Sequence, residues 1–249
     1  MKCRFYSIMS TIILFDVDGT LTLPRKEITS ELLDLLYSLK NKYKIGVVGG
    51  SDYIKIQEQI KVPLDEIFDY IFCENGLVAY HENKLIGEKN LAKHLGEEKL
   101  QKFINFILNY LSNLKLPIKR GTFIELRKGM INISPIGRDC TIEERSAFEE
   151  YDHKMHIRKK FVEVLQYTFS DFDLKFSIGG QISFDVFPNG WDKTQCLKYL
   201  INDFDNIYFF GDKTDEGGND HELFNSKFTK GFKVKNPQET KKLCEKLFL

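Results

Sequence analysis

The sequence has no excess of charge of either sign: Lys and Arg together number 36, as do Asp and Glu. Polyanion-binding domains usually carry a basic surplus, so the balance argues against a nucleic-acid partner. Long apolar runs are also missing. Stretches such as Thr11–Phe15 and Ile207–Phe210 fall far short of the roughly 20 residues that a membrane helix needs, and no membrane partner is expected. Cysteine is sparse. Cys3, Cys73, Cys140, Cys196 and Cys244 are five in all, widely spaced and without a CxxC. That pattern suits neither a disulfide framework nor a zinc site, and free thiols in a reducing, cytoplasmic setting are expected. The segment Met1–Met9 carries Lys2 and Arg4 but no sustained apolar core, so a secretory leader is not expected; Met9 offers an alternative start. No internal repeat, low-complexity tract or long linker interrupts the chain.

What is present is 249 residues, 42% apolar and 29% charged. That composition is usual for a globular enzyme, at a length that allows one large domain or two small ones. Three short apolar runs end at polar or glycine residues: Ile12–Phe15 before Asp16, Ile45–Val48 before Gly49, and Ile207–Phe210 before Gly211. Such runs are the pattern of buried parallel strands. Between them, Leu32, Leu35, Leu36 and Leu39 repeat at helical spacing behind Thr29-Ser30, and Tyr53–Ile60 follows Ser51-Asp52. Alternating strands and helices predict a doubly wound α/β sheet with its ligand site at the carboxyl ends of the strands.

The middle of the chain follows another rhythm. Leu91–Leu114 has the pattern of one long helix. Thr122–Arg127 and Met130–Ser134 alternate in period two around Lys128-Gly129, a hairpin signal. Thr141 to Glu144 spells a capping box that opens a long helix toward Phe169. A second hairpin is expected around Gly179-Gly180-Gln181. Helix, hairpin, helix, hairpin is an α+β pattern, so an inserted domain is expected at 86–187, between core segments 1–85 and 188–249.

The segment Asp16-Val17-Asp18-Gly19-Thr20 carries the most chemistry. A strand delivers two carboxylates one residue apart, and two close anions resist joint ionisation unless a cation or substrate relieves them. Mg²⁺ suits the arrangement, since it takes oxygen ligands and tolerates few protein carboxylates alongside phosphate and water. One Asp then fits a nucleophile and the other an acid/base; equally, two aspartates merely open a loop. Ser51 follows the second strand, Lys193 stands near a helix start, and Asp212 ends the third strand ahead of Gly217-Gly218-Asn219-Asp220. Singly, Ser51 serves as well as an N-cap, Lys193 as a solvated lysine and Asp220 as a turn residue. Their shared placement at strand ends argues for a phosphoryl-transfer site.

Together these segments resemble the four motifs of the haloacid dehalogenase (HAD) superfamily. With KIGVVGGSD at 44–52, ENGLVAY at 74–80, RGTFIELR at 120–127, SPIGR at 134–138 and SIGGQISFDVFP at 177–188, nearly the whole chain is similar to the eukaryotic-type phosphomannomutases. The resemblance implies a Rossmann-like HAD core with an inserted α+β cap of antiparallel sheet and helices. The implied activity exchanges mannose 1-phosphate and mannose 6-phosphate through an aspartyl-phosphate and a hexose 1,6-bisphosphate of glucose or mannose, and so supplies GDP-mannose synthesis. The implied nucleophile is Asp16 and the acid/base Asp18, with Ser51 and Lys193 holding the phosphoryl group. Mg²⁺ is implied on Asp16, the main-chain carbonyl of Asp18, and Asp212. Arg25, Arg127, Arg138 and Arg145 correspond to substrate-phosphate and sugar contacts, and Ser183 and Asp185 to hydroxyl contacts. On spacing alone these arginines are surface charges, and Ser183 and Asp185 the polar face of a half-exposed strand.

The resemblance also implies a homodimer through the cap, although the apolar stripe Leu100, Phe103, Ile104, Ile107 and Leu111 is more often a domain core. A second structural metal is common in the family after the GGND segment. Here Ser226 stands where that site has an Asp, a much weaker cation ligand, and no metal is assigned there. The residues leave a sugar-phosphate phosphatase, a phosphoglucomutase acting on glucose phosphates, and a non-catalytic phosphosugar sensor as alternatives.

Overall fold

The computed structural model describes residues 10–24 and 26–249. Arg25, Cys3 and the alternative start at Met9 lie outside the described residues. The described residues divide into two compact units, one built from those up to 88 together with 190–249, the other from 89–189.

In the first unit, strand β1 (Thr11–Phe15) leads to helix α1 (Ser30–Lys40), β2 (Lys44–Val48), α2 (Tyr53–Ile60) and the single turn α3 (Leu64–Ile67). Strands β3 (Tyr70–Cys73), β4 (Val78–His81) and β5 (Lys84–Glu88) follow. The second unit comprises α4 (Leu91–Leu95), α5 (Glu97–Asn113), β6 (Ile124–Leu126), β7 (Ile131–Ile133), α6 (Ile142–Met155), α7 (Ile157–Thr168), β8 (Leu174–Gly179) and β9 (Ser183–Pro188). The chain then returns to the first unit with a 3₁₀ segment at Lys193–Tyr199, β10 (Asn206–Gly211), α8 (His221–Phe224), β11 (Lys230–Lys233) and α9 (Pro237–Phe248).

The first unit's sheet has seven strands in the order β11-β10-β1-β2-β3-β4-β5. β11, β10, β1, β2 and β3 run parallel, and β4 and β5 add an antiparallel edge. Because β1 is covered on both faces, Ile12–Phe15 are buried and apolar without alternation. Ile13 and Phe15 pack with Leu32, Leu35, Leu36 and Leu39 of α1 and with Cys244 and Phe248 of α9. Ile12 and Leu14 face Cys196, Leu197, Leu200 and Leu223 on the other side. Each buried leucine contributes about 1.5–3 kcal/mol of transfer free energy. Asp52 caps α2 by accepting from Lys55 N at 2.9 Å, which fixes the chain just after Ser51.

The second unit's sheet has the order β6-β7-β9-β8, antiparallel throughout. Leu100, Phe103, Ile107 and Leu111 are the buried residues of α5, and Phe103 meets Phe169 edge-on at 4.9 Å. Phe103 is thus packed within its own unit, and Ile104 lies at the partly exposed margin of the stripe.

Two expected long helices are each broken. Leu91–Leu114 divides at Gly96, whose φ of +78° is open to glycine without a Cβ penalty. The helix from Thr141 ends in a left-handed cap at His156 (φ 55°) whose N–H reaches Asp152 O, and α7 restarts immediately. The capping box itself is formed, Glu144 N donating to Thr141 Oγ1 and Thr141 N to Glu144 Oε2.

Candidate active site

The first unit's site grows from the ends of β1, β2 and β10. The run of β1 continues one bond further, where Asp16 N donates to Phe210 O at 2.9 Å. Gly19 then turns the chain with φ +87°, and a Cβ there would overlap the Asp212 carboxylate. A small cleft at these strand ends is lined by Asp16, Asp18, Gly49, Gly50, Ser51, Lys213 and Asn219. Asp16 is buried, and Lys193 and Asp220 are wholly so.

Lys193 Nζ donates to Asp16 Oδ1 and, at 2.6 Å, to Asp220 Oδ1. Carboxylate oxygens of Asp16, Asp212 and Asp220 all lie within 4.8 Å of one another. One ammonium thus faces three carboxylates in a site short of positive charge. Burial first, then the Asp220 and Asp212 charges, push Asp16 up to about 7 against the pull of Lys193. Burial alone would lower Lys193, but Asp16 and Asp220 outweigh it and hold the ammonium above the ordinary lysine value. Asp212 is likewise raised, chiefly by burial, and its Oδ1 is buried with no hydrogen-bond partner. An orphaned carboxylate oxygen beside two others fits a hard cation, which takes oxygen ligands and supplies the missing positive charge.

Asp220, which the sequence alone leaves as a turn or cap residue, is the site's second anchor for Lys193. It also accepts from Lys213 N at 3.0 Å. The available signal was its place in Gly217-Gly218-Asn219-Asp220, shortly after a strand-end Asp. The Asp18 carboxylate is not in the three-carboxylate cluster. Gln59 Nε2 of α2 donates to Asp18 Oδ1 at 2.9 Å and to Thr22 Oγ1 at 3.1 Å, and nothing in the sequence pattern marks Gln59.

In the second unit, Asn132 and Asp185 are cross-strand partners, and Asn132 also pairs with Glu125. Residues i and i+2 of a strand share a face, so Ser183 and Asp185 lie together while Phe184 and Val186 are buried. Asn132 Nδ2 donates to both Ser183 Oγ (3.1 Å) and Asp185 Oδ1 (2.7 Å). Its Oδ1 accepts from Arg138 at 2.5 Å. Glu125 Oε2 accepts from Arg127 Nη2 at 2.6 Å and pairs with Arg138 Nε at 3.2 Å. Arg145 joins them by donating to Arg138 O at 2.8 Å. Arg127, Arg138, Arg145, Ser183 and Asp185 therefore form one cluster, organised by Asn132 and Glu125, which sequence reading passed over. Burial raises Asp185, opposed by the Asn132 bond and by Arg127 and Arg138.

At the GGND end of the chain, Thr229 Oγ1 contacts Leu223 O at 2.5 Å, and Ser226 Oγ accepts from Phe228 N at 3.3 Å. Ser226 here closes a turn.

A doubly wound core with strand-end carboxylates and an antiparallel insert is the architecture of the HAD phosphatases. An Aspergillus fumigatus trehalose-6-phosphate phosphatase superposes with a TM-score of 0.57 at 15% identity, covering 96% of this chain and 92% of that one. That likeness shows the fold. The chain belongs to a particular branch of it, the eukaryotic phosphomannomutase family, whose pattern matches residues 32–249. It is 58% identical over 238 residues to a phosphomannomutase of Solanum lycopersicum, covering 96% of this chain and 94% of the relative. It is equally 58% identical to a phosphomannomutase of Glycine max, with 96% of each covered.

Proposed function

We propose that this protein interconverts mannose 1-phosphate and mannose 6-phosphate, with Asp16 as the phosphoryl carrier. The observation that carries the reading is the buried Lys193–Asp16 contact beside two further carboxylates and Ser51, in a chain of this family. Lys193 orients the Asp16 carboxylate and opposes charge on an arriving phosphoryl group, and Ser51 offers it a hydroxyl, so that catalysis is positioning and electrostatics. Asp18 gives a proton to the departing sugar oxygen when Asp16 takes the phosphoryl group, and removes one from the accepting hydroxyl in the reverse transfer.

The Asp16, Asp212 and Asp220 oxygens, with the main-chain carbonyl of Asp18, are the donors that would hold Mg²⁺; bound there, it supplies Lewis-acid neutralisation of phosphoryl charge. Arg25, Arg127, Arg138 and Arg145 hold the sugar phosphate's other end by planar, bidentate bonding. Ser183 and Asp185 take its hydroxyls. The cycle begins with Asp16 phosphorylated by glucose or mannose 1,6-bisphosphate and passes through a hexose bisphosphate. The family resemblance further supports a cytoplasmic homodimer that feeds GDP-mannose synthesis.

The test is incubation with Mg²⁺, mannose 1-phosphate and a trace of glucose 1,6-bisphosphate, quantifying mannose 6-phosphate and free phosphate. Mannose 6-phosphate is the expected main product. Mainly free phosphate would overturn the mutase reading in favour of a sugar-phosphate phosphatase.

A further inference from the structure

The Asp18 side chain does not stand alone at the cleft. Gln59, half-buried on α2, turns both protons of its amide toward the loop that carries Asp18: one to Asp18 Oδ1 at 2.9 Å, the other to Thr22 Oγ1 at 3.1 Å. Thr22 Oγ1 in turn reaches Val17 O at 3.4 Å, while Gly19 N donates to Thr22 O at 2.7 Å. The Gln59 backbone is fixed as well, its carbonyl accepting from Ile28 N at 2.9 Å. A carboxylate on a mobile two-bond stem is thus tied from a neighbouring helix by a donor that is itself held at both ends. A side-chain amide suits this task. It donates to the carboxylate without adding a charge to a site already crowded with carboxylates.

We propose that Gln59 is a positioning residue for phosphoryl transfer, fixing the orientation in which Asp18 meets the sugar oxygen. This rests on the assignment of Asp18 as acid/base. Gln59 acts through Asp18 alone, so its removal lowers the rate of transfer and leaves sugar-phosphate binding intact.

A double-mutant cycle with full-length protein, saturating Mg²⁺ and mannose 1-phosphate tests this. Losing one hydrogen bond to a charged group corresponds to a fall of about 10- to 100-fold, expected in kcat for Gln59→Leu, with KM within about twofold of wild type. In the Asp18→Asn background the same substitution should change kcat by less than about twofold, because residues acting through one group are non-additive. Thr22→Val, which removes one of the two bonds holding the Gln59 amide, should give a smaller kcat loss that also vanishes in the Asp18→Asn background. It provides the same comparison if Gln59→Leu fails to fold.

Equal proportional losses in both backgrounds, or a rise in KM at unchanged kcat, would overturn the role of Gln59. Near-native turnover by Asp18→Asn would instead overturn the acid/base reading beneath it.

Discussion

Replacing Lys193 with Met isolates the electrostatics of the buried cluster. The Lys193 side chain is 0% exposed and bonds to both Asp16 and Asp220. Met fills a similar volume but leaves the buried Asp16 and Asp220 carboxylates without their shared ammonium, while Lys213 continues to act on Asp212. Removing one partner of a buried ion pair costs about 3–5 kcal/mol, mostly because the remaining charge is stranded. In a chain of this size each kcal/mol moves Tm by about 2–4 °C, so a fall of about 6–20 °C is expected. Scanning calorimetry in EDTA reads it directly.

Two controls fix the cause. Adding Mg²⁺ should recover part of the loss by restoring positive charge. Converting Asp16 and Asp220 to Asn in the Lys193→Met background should recover more of it, since neutral amides strand no charge. A single variant that melts within about 2 °C of wild type in EDTA would refute the reasoning, given the expected shift. So would a triple variant no more stable than the single one.

Asp16 also makes stability depend on pH. Its carboxyl rises on folding from 3.8 to about 7, chiefly through burial, so the folded state binds the extra proton between those values. In metal-free buffer its contribution is fully present below pH 3.8 and is lost as pH rises through about 7. The urea midpoint of wild type should fall relative to Asp16→Asn across that window. Gly19→Ala forces a Cβ onto Asp212 at φ +87°. Beyond a backbone cost of about 1–2 kcal/mol, it should raise the Mg²⁺ concentration needed for half-maximal activity, measured by metal titration. Arg158→Met strands Asp152 after losing a 2.7 Å pair and the bonds to Gly180 O and Ser183 O. A loss of about 3–5 kcal/mol is expected, read as faster limited proteolysis at Gly179-Gly180.

The elements legible in the sequence were those whose pattern has one physical cause. β1, β2 and β10 show themselves because central parallel strands are apolar on both faces. The two hairpins show themselves through period-two alternation around glycine, and α6 through its capping box. β5 is an edge strand with a largely exposed face, and β11 is a short edge strand of mixed residues, so neither forms an apolar run. The breaks at Gly96 and His156 leave no mark in the pattern, because the helical spacing of apolar residues persists on both sides. Among site residues, Asp16, Asp212 and Lys193 followed from their places at strand ends and a helix start. Asp220, Gln59, Asn132 and Glu125 did not, because each takes its meaning from a partner distant along the chain or across a sheet.

The parallel pairing of β1 with β10 joins Thr11 to Asn206 and Phe15 to Phe210. During synthesis, therefore, β1 emerges from the ribosome long before its neighbour on that side exists. At about 5–20 residues per second, the wait is on the order of ten seconds or more. Throughout it, one side of a strand that is apolar from Ile12 to Phe15, TIILF, presents unpaired backbone groups, the template on which chains misassociate. The contiguous 89–189 unit has all its own strands in hand within that interval. Newly made chains are thus most vulnerable before β10 is complete, and nascent chains halted short of Gly211 are where chaperone dependence should concentrate.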